Sequence, residues 1–140
     1  ISSAASDVYK RQGYLESEGE IIAPIARDED SIITRRVAKG GKYAHTSYKI
    51  VASYGNIHLV DIRLHTGRTH QIRVHFSHIG FPLLGDDLYG GSLDDGIQRQ
   101  ALHCHYLSFY HPFLEQDLQL ESPLPDDFSN LITQLSTNTL

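Results

Sequence analysis

Several features that would place a chain in a class at sight are scarce or missing here. There is one cysteine, Cys104, so no internal disulfide can form. A lone thiol fits a reducing compartment, and a cytoplasmic location is the expectation. No apolar run approaches the roughly 20 residues of a membrane-spanning helix. Residues Ile1 to Gln12 lack the apolar central stretch of a secretory signal. No Walker-type or dinucleotide-binding glycine pattern occurs. Ser47, Ser77 and Ser92 have no glycine-framed elbow around them, which leaves hydrolase chemistry of that kind without support. Internal repeats and low-complexity tracts are absent too.

Positive charge is also in deficit. The net charge is -5, which argues against a protein that coats nucleic acid through bulk charge. Its distribution is uneven, however. Between Ser31 and Gly85 there are eight Arg or Lys (Arg35, Arg36, Lys39, Lys42, Lys49, Arg63, Arg68, Arg73) and one acid, Asp61. A basic centre in an acidic chain suits a localised anionic ligand such as a few phosphates of a folded RNA. It equally suits a patchy surface with no ligand.

What is present is enough for one compact domain: 140 residues, 40% of them hydrophobic. Ile1 to Gln12 shows neither strand alternation nor a helical stripe and is read as a non-domain start. Residues 13–136 form the domain and 137–140 a tail. Glu20 to Ile25 is a short extended stretch bent at Pro24. Tyr43 to Tyr54 is rich in aromatic and β-branched residues, Gly55-Asn56 supplies a tight turn, and Ile57 to His65 alternates, so an antiparallel hairpin is predicted. From Arg68 to Ile79 the period becomes helical, with Ile72, Phe76 and Ile79 on one side and His70, Arg73 and Ser77 on the other. Gly80 and Pro82 end that helix. Ala101 to Tyr110 reads as a central strand, and Leu118 and Leu120 mark its partner. Phe128, Leu131, Ile132 and Leu135 then mark a closing helix from about Asp126. The fold class is α+β: mostly antiparallel strands with a few packed helices.

The informative segment is Arg63 to Gly91. A strand ends, Thr66-Gly67 breaks it, and a helix opens with Arg68, Thr69, His70 and Gln71. Exposed N–H groups at a helix start attract anions, and the Arg68 guanidinium adds a fork of donors. Arg73, one turn in, can pair with a carboxylate or a phosphate. Physics alone leaves an anion site and an ordinary strand-turn-helix equally open.

The same residues resemble the signature of the RluA-type pseudouridine synthases. The matching pieces are Leu64-His65-Thr66-Gly67-Arg68-Thr69-His70-Gln71-Ile72-Arg73-Val74-His75, Gly80-Phe81-Pro82-Leu83-Leu84-Gly85-Asp86 and Leu88-Tyr89-Gly90. Upstream, Glu18 to Ile21, Pro24 to Arg27 and Gly41 to Tyr48 also fit. Downstream, Gln100 to His103, Phe109 to Pro112 and Pro123 to Phe128 do. The resemblance runs from about Gly19 to Leu131 in the family's order. Phe81 stands where a histidine is usual, and Cys104 where a small residue is common.

That resemblance implies part of a pseudouridine synthase catalytic fold, acting on structured RNA, ribosomal or transfer, with no cofactor, no metal and no membrane partner. The reaction it implies detaches uracil from C1' of its ribose, turns it, and rejoins it through C5 within a pocket that takes a flipped-out uridine. The family's nucleophilic aspartate lies in an upstream segment of the type Gly-Arg-Leu-Asp, which this chain does not contain. Neither Tyr9 nor Tyr14 has the neighbours expected of the family's base-packing tyrosine. Arg73 matches the active-site arginine that pairs with the aspartate, since an opposite charge nearby keeps a carboxylate ionised. It is expected to project into a uridine-sized cavity. Arg68, Thr69, His70, Gln71 and Lys42 are the candidate RNA-binding or site-shaping residues, with helix capping as the alternative for His70 and Gln71. The expectation is the C-terminal part of a catalytic domain, inactive by itself. A truncated sheet of this kind exposes an unpaired edge or apolar face, so poor solubility or loose packing is expected.

Other constellations read more plainly. His103 and His105 share a strand face and His75 and His78 a helix face, but neither pair has a third ligand nearby in sequence. Asp86-Asp87 after Gly85 reads as a turn whose carboxylates accept backbone N–H groups, and Tyr48 as core. Two competing functions remain: a non-catalytic RNA-binding module that uses Arg68, Arg73 and the Arg35 to Lys49 stretch, and a protein-interaction domain.

Overall fold

Strand alternation sends Thr46, Tyr48, Val60 and Ile62 to one face and Ser47, Lys49, Asp61 and Arg63 to the other, and this division sets the architecture. The structure is a computed structural model that describes residues 2–7 and 15–138; for residues 2–7 and 138 only the backbone is described. The chain runs β1 (Ser2–Asp7), β2 (Glu18–Ile22), β3 (Ile25–Arg27), β4 (Arg35–Val37), β5 (His45–Tyr54), β6 (Ile57–Leu64), α1 (Gln71–His78), a 3-10 turn (Asp87–Tyr89), β7 (Leu102–Cys104), β8 (Tyr106–His111), β9 (Gln116–Glu121) and α2 (Asp126–Asn138).

Five strands form one antiparallel sheet in the order β2-β5-β6-β1-β7. The pairs β3-β4 and β8-β9 are separate two-stranded sheets. The predicted hairpin is β5 and β6. Gly55, at φ 66°, takes the left-handed turn that an L side chain resists. A bulge at Ile50/Ala52 shifts the register toward the hairpin end. Pro24 separates β2 from β3, since it cannot donate to a ladder.

One face of the sheet is covered. Ile72 and Phe76 of α1 pack on Tyr48, Val60 and Ile62 together with Phe81 and Leu83. Tyr48 meets the Phe76 ring edge-on, as a core residue. Phe81 is buried among these apolar neighbours. A second cluster gathers Phe128 and Leu131 of α2 around Leu84, Ile97, Ala101 and Ile57. Antiparallel strands and, among the described residues, two α-helices give the α+β class expected.

Four elements differ from the sequence reading. Of the supposed non-domain start, residues 1 and 8–12 lie outside the described residues, but Ser2–Asp7 pairs with both β6 and β7. Ladder hydrogen bonds belong to the backbone and need no amphipathic pattern to form. Tyr9 and Tyr14 also lie outside the described residues. Thr137 and Asn138, read as tail, belong to α2, which continues through Asn138. Ala101 to Tyr110 is two strands rather than one central strand: the chain breaks at His105, and β8 leaves the main sheet to pair with β9. Leu107, Phe109 and Tyr110 of β8 are consequently exposed. Finally, the signature helix starts at Gln71, three residues later than its periodicity implies.

Candidate functional site

The late helix start follows from one side chain. Gln71 is buried, and its amide is satisfied on every side. Its Oε1 accepts from the Thr66 hydroxyl at 2.7 Å and from the Arg68 N–H at 2.9 Å. Its Nε2 donates to the His45 carbonyl at 3.0 Å and to Thr46 Oγ1 at 2.9 Å. The backbone at 66–68 is therefore held as a turn by the helix's own first residue. His70 sits at φ 55°, left-handed, with no side-chain cap. An N–H that the sequence reading left for an anion, that of Arg68, is already occupied.

Beneath this turn His75 is fully buried and its tautomer is determined. Nε2 lies 2.9 Å from the Ala23 carbonyl, which can only accept, so Nε2 carries the proton. Nδ1 then accepts from the Thr46 hydroxyl at 2.8 Å, and Thr46 accepts from Gln71. Burial holds the imidazole below its ordinary pKa, and the carbonyl hydrogen bond only partly opposes it. This chain of donors ties α1 to β5 and to the loop after β2.

Arg73 leaves α1 on the polar side, as predicted, and meets Asp86. Nε donates to Oδ2 at 2.9 Å and Nη2 to Oδ1 at 2.8 Å. The pair is enclosed, with side-chain exposures of 14% for Arg73 and 1% for Asp86, so this is a buried ion pair and not a surface one. The hydrogen bonds that it donates to Asp86 raise the guanidinium above its ordinary pKa. Nη1 has no hydrogen-bond partner among the described residues. The reading of Asp86 as a turn-former whose carboxylate takes backbone N–H groups is thus corrected: a guanidinium thirteen residues earlier takes both oxygens.

Tyr89 joins these parts. The Arg73 guanidinium carbon lies 5.0 Å from its ring centroid. Its hydroxyl accepts from the Arg35 N–H at 3.0 Å and lies 2.7 Å from His70 Nδ1. Ser77 donates to its carbonyl at 2.8 Å. Burial first, then the charges of Arg73 and Arg35, lower the His70 pKa, and a neutral ring lets the phenol donate to Nδ1. Signature helix, glycine loop and β4 are fastened at one phenol.

Two clefts adjoin this framework. A groove of about 480 Å³ is lined by Arg27, Arg35, Lys42 and Arg68, with Gly40, Gly41, Gly67 and Thr69 among its walls and no carboxylate. Gly41 is required by close approach, because a Cβ there would lie 2.7 Å from the Ile25 carbonyl carbon. The structure therefore brings together Lys42, Arg68 and Thr69 from distant points in the sequence. Arg68 is steadied by donating from Nε to the Tyr43 carbonyl at 2.8 Å. The second cleft, of about 600 Å³, lies over the uncovered sheet face and mixes signs: Glu18, Glu20, Lys49, Asp61 and Arg63. Arg73, expected to project into a uridine-sized cavity, instead holds Asp86 and lines neither groove. His70 and Gln71 stand behind the basic cleft's wall, fixing it.

Asp86, Tyr89, Thr46 and His75 escaped the sequence reading as site residues. Their partners are 12 to 54 residues away, and only their presence inside the quoted motifs pointed to them.

Comparison with known proteins supplies the family. A sequence profile described as RNA pseudouridylate synthase matches residues 7–78. The uncharacterized RNA pseudouridine synthase YjbO of Bacillus subtilis is 47% identical over 117 residues, 84% of this chain and 41% of that protein. Ribosomal large subunit pseudouridine synthase D of Nitrosomonas europaea is 41% identical over 128 residues, 86% of this chain and 37% of that protein. In fold, human RNA pseudouridylate synthase domain containing 1 superposes with a TM-score of 0.70 at 23% identity, covering 96% of this chain and 64% of that one. The chain spans about two fifths of the length of the curated relatives it matches. With the signature turn, the buried arginine pair and these matches together, the chain belongs to the RNA pseudouridine synthase family.

Proposed function

We propose that this chain forms the RNA-holding part of a pseudouridine synthase that isomerises uridine in ribosomal or transfer RNA within the cytoplasm. The observation that carries the reading is the basic groove. Four cations from β3, β4, the β4-β5 loop and the signature turn face one cleft with no acid in its lining, in a chain of net charge -5. Such a site binds a phosphate backbone locally, without general affinity for polyanions. Arg68, Thr69 and Lys42 contact the backbone there, while His70 and Gln71 shape the wall.

Arg73 acts in this reading through its free edge. Asp86 occupies Nε and Nη2 and fixes the plane of the guanidinium, leaving Nη1 for the nucleophilic carboxylate of an upstream Gly-Arg-Leu-Asp segment. The pairing keeps that carboxylate ionised when a flipped uridine approaches. The 140-residue chain by itself binds RNA and does not turn it over.

Pseudouridine formation on transcribed ribosomal and transfer RNA tests the proposal. A reading frame that supplies the aspartate segment is expected to form pseudouridine, the 140-residue chain to form none, and Arg73→Lys in the longer protein to lose turnover while keeping RNA affinity. Turnover by the 140-residue chain would overturn the division of labour. Undiminished RNA affinity in a Lys42→Ala, Arg68→Ala double variant would remove the groove from the reading and favour a protein-interaction role.

A further inference from the structure

We propose that Glu20, His45 and His65 form a binding site for a borderline divalent metal ion of the zinc class, on the sheet face away from α1. Antiparallel register places them. Glu20 lies opposite Ser47, and Ser47 opposite Arg63. One step along, Ile22 lies opposite His45, and the His65 N–H, donating to the His45 carbonyl at 3.0 Å, extends that row. Residues two apart on a strand share a face. Glu20, His45, Ser47 and His65 therefore project together, while Thr46 between them enters the core.

The donors have converged. One ligand atom from each of Glu20, His45 and His65 lies within 4.8 Å of the other two. Glu20 Oε1 is 3.0 Å from His45 Nε2, and the two imidazoles stack with centroids 4.0 Å apart at 16°. Ser47 Oγ lies 2.7 Å from His65 Nε2, an exposed contact that a bound ion would replace at that nitrogen. A carboxylate–histidine pair would account for Glu20 and His45 alone. It gives no reason for a second imidazole stacked on the first.

In a tetrahedral shell with zinc bond lengths, donors stand about 3.3 Å apart. Glu20 and His45 already meet that spacing. His65, exposed just past the strand end, closes the remaining gap by side-chain rotation. Two imidazoles and a carboxylate select zinc, cobalt or nickel over magnesium or calcium, which need oxygen shells. The fourth position opens to solvent. Arg63, in the neighbouring row, repels a cation, so the Glu20 charge is the favourable electrostatic element of the site. A bound ion would clip β2, β5 and the exit of β6 together one residue before Thr66. This site does not depend on the RNA reading.

Zinc itself is the probe, offered to the untagged 140-residue chain at pH 7.5 against a chromophoric chelator. One ion per chain is expected, with a rise in melting temperature. His45→Ala and His65→Ala should each weaken binding by more than about tenfold, since even outer-shell partners of a metal site contribute that much. His111→Gln should leave it unchanged. In the unaltered chain, ring nitrogen-15 resonances of His45 and His65 should shift on zinc addition, which tests the site without any substitution. Absence of one-to-one binding, alanine variants that bind zinc as tightly as the unaltered chain, or unmoved His45 and His65 resonances would each overturn the proposal.

Discussion

At the scale of single residues, the Arg73–Asp86 pair carries the largest asymmetry. Breaking a buried pair from one side leaves an uncompensated charge in a site with almost no solvent. Arg73→Ala should cost about 3–5 kcal/mol of unfolding free energy, and Asp86→Ala a similar amount. The double variant should cost less than the sum of the two, because neither charge is then stranded. Urea unfolding of the three variants measures this, and simple additivity would mean that the pair is not coupled.

His75 makes a prediction about pH. Its folded pKa is depressed, so its neutral form contributes stability fully above the ordinary histidine value near 6.5. As pH falls below that value the unfolded chain takes up a proton that the folded chain refuses, and stability drops until the depressed folded pKa is passed. His58 and His70 shift in the same direction. Urea midpoints at pH 7.5 and pH 5.5 should therefore differ, with the acid condition weaker, and His75→Gln should narrow the gap. A midpoint that rises on acidification would contradict the neutral, buried state of His75.

At the scale of elements, the loop from Gly85 to Gly91 depends on close approach. Gly85 has φ 75°, and a Cβ on it would overlap the carbonyl of Arg99. Gly90, at φ 94°, has open space around it. Both alanine variants incur the left-handed cost of about 1–2 kcal/mol, but only Gly85→Ala adds the steric cost of forcing a bulkier residue into packed chain, about 1–3 kcal/mol more. Thermal melts should rank Gly85→Ala clearly below Gly90→Ala. Equal losses would show that the loop yields at Arg99.

What the sequence revealed about these elements follows the range of the forces involved. The β5-β6 hairpin, the Ile72–Phe76–Ile79 stripe and the stop at Gly80 are written in neighbours a few residues apart, and they stand where periodicity put them. The start of α1 was misread because Gln71 spends its amide on Thr46 and His45, some 25 residues upstream, and so draws residues 66–70 out of the helix. The same distance hid Asp86 as the partner of Arg73. The division of 101–110 into two strands depends on which ladder each half joins, a choice that no local alternation encodes. For the site, Lys42, Arg68 and Thr69 were legible as residue types, whereas their meeting in one groove was not.

At the scale of the whole molecule, the charge pattern predicts how binding should respond to salt. The chain is acidic overall but presents four cations at one cleft. Affinity for RNA should fall with salt along a log–log slope set by the few phosphates neutralised, roughly 0.7 to 0.9 per contact. Lys42→Ala or Arg68→Ala should each reduce the slope by about 1 and weaken binding alike across RNA sequences. Fluorescence anisotropy between 50 and 200 mM salt gives both numbers, taken as roughly the range over which such contacts are lost. A slope far above four would mean that the rest of the surface takes part.

The exhausted amide of Gln71 has a consequence for recognition. With all four of its bonding positions used inside the protein, the turn that walls the basic groove has nothing left to rearrange when a polynucleotide arrives. Docking should then be closer to a key entering a finished lock than to mutual folding, and the adjustment should fall on the long cationic arms and on the RNA.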